Sequence, residues 1–272
     1  LVPQDSHLLS TGQVSLGLST CGAIPPGQTD EEIETHFTLV FPLTGVFAVN
    51  TEGTRTSTTP AKAILFSKGQ ARQIQHPDGG HDRSAYISMK SEFGEPYLDR
   101  SGRFRVEAGP TTTHLDYWLR SLVATAKVGR LDALEAEEFT VKALADLMHK
   151  SSQPTRSRSD TVLDAEEYLS VHFRDHCDLP TIARQVGSSS HHLSRIFKQV
   201  TGETLSRRRM RLRLAAVLSE ILDGADDLSR VAVQSGFYDH SHMTNSFRSH
   251  FGVTPKEARL KVTGRVNPYM KD

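Results

Sequence analysis

Cysteine is almost missing from this chain. Cys21 and Cys177 are the only two in 272 residues, far apart and in no Cys-x-x-Cys pair. That excludes a disulfide framework and a Cys-rich zinc module, and it fits a reducing cytoplasm. Net charge is missing too, because 32 Lys+Arg balance 32 Asp+Glu. A uniformly basic coat is thereby excluded, although a local basic stripe is not. No apolar run approaches the ~20 residues of a membrane span. The strongest, Phe37 to Val49, is broken by Pro42 and Gly45. The first residues show no basic region followed by an apolar stretch, so no signal peptide and no membrane contact are expected. What remains is ordinary globular composition, 37% hydrophobic and 24% charged with 19 Gly and 12 Pro, enough for one or two domains.

The texture changes near residue 110. Before it, short β-rich runs alternate with turn residues: His36–Phe41, Val46–Asn50, Ala61–Phe66, Gln70–Gln75, Ser84–Met89 and Arg103–Val106. Strands this short and this evenly spaced predict a small barrel or sandwich. From Thr111 the period is helical. Leu115, Trp118, Leu119, Leu122 and Val123 make one apolar face of a helix over 113–126, and 133–149 repeats the pattern less tidily. Either helix would pack on the barrel or pair with a second subunit. Residues 151–160 contain no apolar side chain and read as an exposed linker. The expected domains are therefore 1–150, a linker over 151–160, a helical domain over 161–262 and a tail over 263–272.

Every segment after the linker reads as helix. Asp178, Ser189, Asp227 and Asp239 stand where N-caps belong, Gly187, Gly202, Gly236 and Gly252 where helices stop, and Thr254-Pro-Lys-Glu257 has the form of a capping box. Two stretches match each other. Ala183-x3-Gly187 leads to Leu193 and Phe197-x4-Gly202-x-Thr204; Ala232-x3-Gly236 leads to Met243 and Phe247-x4-Gly252-x-Thr254. Each copy is a short helix, a glycine turn and a second helix, which is the layout of a helix-turn-helix. A single such pattern is weak evidence, but two joined by one long helix over 205–222 are much stronger.

Residues from about 160 to 261 resemble the DNA-binding domain of the AraC/XylS transcription regulators. The resemblance lies in LPTIARQVGSSSHHLSRIFKQVTGETL, in the linking helix, and in LSRVAVQSGFYDHSHMTNSFRSHFGVTPKEAR. The linking helix departs from the family in having Arg208 where an aromatic residue usually stands. The resemblance implies an α+β chain: an N-terminal cupin-like β-barrel with helices, which binds an effector and dimerises, and an all-α C-terminal domain with two helix-turn-helix motifs. It also implies a cytoplasmic, sequence-specific regulator, an activator among the expectations, with double-stranded DNA and RNA polymerase as partners. No cofactor is implied.

Local charge agrees with that reading. Residues 184–213 hold eight Lys or Arg against the single acid Glu203, while residues 1–159 have a slight acidic excess. Such a stripe would neutralise phosphates and make affinity fall with salt. Exposed residues near the start of each second helix would meet base edges in a major groove: Ser190, His191, Ser194 and Arg195 in the first copy, His240, Ser241, Thr244 and Asn245 in the second. Arg195 suits guanine O6 and N7, and Asn245 suits adenine. Lys198, Arg207, Arg208 and Arg248 would hold phosphates. The two helices would sit about one DNA turn apart, roughly 34 Å, on unlike half-sites.

Phe37, Phe41, Phe47, Ile64, Phe66, Ile74 and Tyr86 are the expected barrel-interior residues of an effector pocket. Metal ligation is not expected. His191/His192 and His240/His242 lack the spacing of a zinc site. His36, His76 and His81 lack the His-x-His and carboxylate of a cupin centre, and His76 and His81 read as loop residues around Pro77–Gly80. Cys21 reads as a small buried apolar side chain. A cupin-like oxygenase or a DNA alkyltransferase fused to this module is the alternative. It would need a His/carboxylate triad or an activated Cys, and neither pattern is recognisable.

Overall fold

A computed structural model describes residues 4–22, 27–60, 62–76, 82–151 and 160–262. The 151–160 linker and the 263–272 tail thus fall largely or wholly outside the described residues. The N-terminal half holds two antiparallel sheets. One runs β1 (Gln4–Ser10), β2 (Val14–Thr20), β10 (Arg83–Met89), β5 (Phe37–Thr44), β8 (Lys62–Phe66), β11 (Ala108–Pro110). The other runs β3 (Gly27–Gln28), β9 (Ala71–His76), β6 (Phe47–Thr51), β7 (Thr54–Thr58), with β4 (Glu32–Ile33) also pairing β9. The expected closed barrel is therefore corrected to two open sheets. Their inner faces meet through Val40, Phe47, Val49, Ile64 and Phe66. Arg103–Val106 forms no strand; Phe104 makes only an isolated bridge to Leu98. The β6–β7 hairpin turns at Glu52 and Gly53, both with positive φ, as a two-residue turn matched to strand twist requires.

Strand alternation sorts the apolar residues between two faces. Phe37, Leu39, Phe41 and Leu43 of β5, with Val14, Leu16 and Leu18 of β2, and Ile87 and Met89 of β10, face away from the second sheet. They are covered by α2 (Thr113–Lys127) and α3 (Ala133–Ser151), which follow the short α1 (Ser91–Gly94). Phe41 and Trp118 both pack on Phe139.

The C-terminal half is all helix: α4 (Asp160–His172), α5 (Leu179–Gln185), α6 (Ser190–Thr201), α7 (Leu205–Leu222), α8 (Leu228–Gln234), α9 (His240–Phe251) and α10 (Pro255–Val262). The caps behave as capping chemistry requires. Asp178, Ser189, Asp227 and Asp239 accept from the N–H groups of Thr181, His192, Arg230 and His242. In the capping box, Glu257 N–H donates to Thr254 Oγ1 at 3.2 Å, and Glu257 Oε2 accepts from Thr254 N–H at 2.6 Å. Each helix-turn-helix has its own core, and α7 serves both. Leu205, Leu212 and Ala216 enter the first core; Leu214, Val217, Leu218 and Ile221 enter the second.

Candidate nucleic-acid interface

Both second helices bury one face and leave the other to solvent. On α6, Leu193 and Phe197 are fully buried, while His191, Ser194, Arg195 and Lys198 are exposed and Ser190 is half-buried. On α9, Met243 and Phe247 are fully buried, His240, Ser241, Asn245 and Arg248 are exposed, and Thr244 is half-buried. The two sets correspond at a constant offset of fifty residues: Ser190 with His240, His191 with Ser241, Ser194 with Thr244, Arg195 with Asn245, Lys198 with Arg248. His191, Ser194, Arg195 and Lys198 border one shallow surface concavity. Both helices end on a left-handed glycine, Gly202 at φ 78° and Gly252 at φ 76°, so their exposed faces have matched lengths.

The basic stripe of 184–213 is smaller on the surface than in the sequence. Arg208, expected at phosphate, is 4% exposed and lies 3.0 Å from Glu166 Oε1 and 2.6 Å from Glu203 Oε1. That expectation is corrected: a buried arginine facing buried Glu166 and partly buried Glu203 serves the core of the first copy. Arg209 donates to the carbonyls of Phe173, Asp175 and Cys177, and Arg213 to Phe173 O at 2.7 Å. Arg211 pairs with Glu203 and donates to Thr111 O. Arg184, Arg195, Lys198 and Arg207 remain exposed. Sequence reading missed the arginines as scaffold, yet a signal existed. Arg209 and Arg259 each stand five residues after the Thr that caps their helix, and Arg259 donates to Ala225 O as Arg209 does to Asp175 O.

Between the two sheets lies a cavity of about 230 Å³. Val40, Phe47, Phe66, Ile74 and Tyr86 form its apolar wall; Asp5, Glu34, His36, Arg72, His76 and Asp82 are its polar lining. Phe47, Phe66, Ile74 and Tyr86 thus stand where the sequence suggested. Phe37 and Phe41 do not: their parity on β5 turns them into the helix-covered core, and Thr38 and Val40 face the cavity instead. Ile64 is buried beside a separate small void with Val49 and Gln70. His76 is not in a loop. It ends β9, is 3% exposed, and its Nδ1 lies 3.0 Å from Asp82 Oδ1. Burial raises the Asp82 carboxyl, and the adjacent His76 opposes that rise. Burial, then the charges of Asp82 and Asp5, push the Cys21 thiol up to about 11, which makes it a poor nucleophile on its own.

Residues 182–261 match the family model described as a helix-turn-helix domain. The HTH-type transcriptional activator RhaS of Escherichia coli is 29% identical over 134 residues, covering 47% of this chain and 47% of its own. The chain therefore spans about half the length of that relative. The arabinose operon regulatory protein of Salmonella typhimurium is 23% identical over 228 residues, 79% of this chain and 80% of its own. Residues 182–261 thus match a helix-turn-helix domain, and the chain is similar to these two regulators. Fatty-acid-bound ToxT of Vibrio cholerae aligns over 93% of this chain and 97% of its own, at 13% identity and a TM-score of 0.40. RhaS and the arabinose protein are named for regulation of transcription, not for catalysis.

The helical C-terminal half leans on the N-terminal half chiefly through α2. Arg120, 3% exposed, pairs with Asp116 at 2.9 Å and donates to Leu43 O at 3.1 Å and to Ser219 Oγ of α7. Asp223, at the end of α7, pairs with Lys127 at 2.6 Å and Arg83 at 3.1 Å. Those two cations hold its carboxyl below the usual range against the opposing cost of burial. At the end of α9, Phe251 stacks on Tyr117 at 5.6 Å and His250 Nε2 lies 3.3 Å from Thr113 Oγ1. Among the described residues no helix is long and apolar enough to cross a membrane.

Proposed function

We propose that this chain is a sequence-specific transcription regulator that reads two unlike DNA half-sites with α6 and α9 and is switched by a ligand in the cavity between its sheets. The observation that carries the reading is the exposed face of each second helix, His191, Ser194 and Arg195 with half-buried Ser190 on α6 and His240, Ser241 and Asn245 with half-buried Thr244 on α9, opposite faces that are fully buried. Lys198, Arg207 and Arg248 supply charge for phosphates beside them. Arg195 offers a bidentate fork for guanine and Asn245 a donor-acceptor pair for adenine, so the half-sites differ in sequence. RNA polymerase is the partner that an activator such as RhaS suggests.

Switching requires the ligand to prefer one of two states. The contacts of Arg120, Asp223 and Phe251 across the domain boundary define one of them, and their rupture would define the other. Dimerisation is supported by Leu134 and Val141, exposed on one face of α3 at 62% and 45%. Selection of binding sites from random duplex DNA by the purified full chain tests the proposal. The expected result is an asymmetric site with two conserved blocks about one helical turn apart, lost in the R195A/N245A double variant. Equal enrichment by that variant would sink it.

A further inference from the structure

Three residues far apart in sequence converge where the two sheets meet. Thr20 pairs with Arg83 in the β2–β10 ladder, which sets the flanking Cys21 and Asp82 side by side, and Cys21 N–H donates to Asp82 O at 3.0 Å. The second sheet brings His76 from the end of β9. The thiol sulfur, an imidazole nitrogen and a carboxylate oxygen all lie within 4.8 Å of one another. All three residues are more than nine-tenths buried: Cys21 7% exposed, His76 3%, Asp82 5%. It is the one such group of three or more potential ligands found among the described residues.

The geometry points to a zinc-class divalent cation site formed by Cys21, His76 and Asp82, open on one side to the cavity. Sulfur, nitrogen and oxygen donors together suit a borderline-soft cation such as Zn²⁺. Bonds of about 2.0–2.3 Å to a tetrahedral ion separate its ligands by roughly 3.3–3.8 Å, within the spread seen here. Three protein ligands leave a fourth position, and the cavity gives it room for water or a ligand atom. The surrounding charge favours a cation over an anion. Asp5, Glu34 and Asp82 line the cavity, and its one arginine, Arg72, is already paired with Glu32 at 3.3 Å and Glu34 at 3.1 Å.

The site has a route to the DNA-binding half. Cys21 and Asp82 also line the cleft between domains, together with Ser219 and Asp223 of α7. Arg83, the residue after Asp82, makes the ion pair with Asp223. Drawing Asp82 onto a cation would shift Arg83 against α7. This regulatory use rests on the regulator reading above, whereas the metal site itself does not.

The experiment is performed on the full chain, stripped of metal and without DNA. Zn²⁺ is titrated against a chromophoric chelator, and Co²⁺ is added to a second sample to read thiolate-to-metal charge transfer. The expected result is one equivalent of Zn²⁺ per chain and a charge-transfer band that C21S abolishes and C177S retains. H76Q and D82N should each weaken binding by at least about tenfold, since each removes one of three protein ligands. The band in the unaltered chain keeps the test open if a variant fails to fold. No stoichiometric binding, or a band that C177S rather than C21S removes, would overturn the site. Metal binding with no effect on selected DNA would leave the site standing and remove its regulatory use.

Discussion

The two helix-turn-helix copies share a scaffold and differ in what surrounds it. Both have an Asp cap on the first helix, a left-handed glycine after the second, a buried Phe at the same register and an arginine closing back on the preceding loop. Register equates Arg208 with Ala258 and Val200–Thr201 with His250–Phe251. The first copy therefore encloses an arginine with two carboxylates where the second encloses a methyl group. The second copy ends α9 against α2 of the N-terminal half, while in the first copy Glu167 of α4 pairs with Arg55 of that half at 2.9 Å. The copies share helix boundaries and a buried Phe, and differ at Arg208/Ala258, at the end of the second helix and along its exposed face. The copy that carries Phe251 is the one whose second helix touches α2 of the N-terminal half.

The buried difference is the one to break first. Arg208→Ala leaves Glu166 buried without its partner and should cost about 3–5 kcal/mol, as removal of one member of a buried pair does. Arg259→Ala in the second copy exposes nothing comparable, because Asp226 faces solvent at 94% side-chain exposure; it should cost about 1 kcal/mol for lost hydrogen bonds. Urea unfolding of both variants measures the contrast. Equal losses would mean that the copies are held alike.

The exposed difference comes next. Arg195→Ala should weaken specific binding by about 1–3 kcal/mol and relax preference at one base pair, and Asn245→Ala should do the same at a different pair one turn away. Binding to single-base variants of the selected site decides. Equal loss on random and selected DNA would show that Arg195 serves phosphate instead. At the position one turn further on, Lys198→Ala and Arg248→Ala should weaken all DNA alike and each lower the slope of log affinity against log salt by about 1. A slope left unchanged by either would remove that side chain from the backbone contact.

The C-terminal half was legible because its helices announce themselves locally. Caps, stop glycines and a repeated spacing are short-range signals, and the boundaries fall within a residue or two of the sequence reading. The N-terminal half was less so. Val14, Leu16 and Leu18 alternate with Ser15, Gly17 and Ser19, a period-two pattern short enough to pass as loop, yet β2 lies inside the large sheet. The β6–β7 turn uses Glu52-Gly53 in place of Asn-Gly and so hid β7. Two sheets and one closed barrel give the same string of short strands, because closure depends on which edges pair. Parity on β5 misplaced Phe37 and Phe41 for the same reason: a one-residue error reverses the face. Arg208 looked like surface charge because Glu166, its buried partner, is forty-two residues away in sequence.

The smallest effect concerns the contact of the second copy with α2. His250 sits against Thr113 and Asp116 of α2, Arg207 and Arg211 of α7, Glu203 and the ring of Phe251. Burial first, then Arg211 and Arg207, hold its pKa below the ordinary imidazole value, outweighing Asp116 and Glu203. The undocked state therefore binds the proton more readily than the docked one, so the contact is strongest above the ordinary value. It weakens as pH falls through about 6.5 toward the lower docked value. Hydrogen exchange at the end of α9 should accordingly speed up on mild acidification relative to the end of α6, where Val200 and Thr201 do not titrate. His250→Gln keeps a hydrogen-bonding side chain and should flatten the pH response of α9 without altering α6. An equal acid response of both helix ends in the unaltered chain would mean that the second copy is not distinguished by this contact.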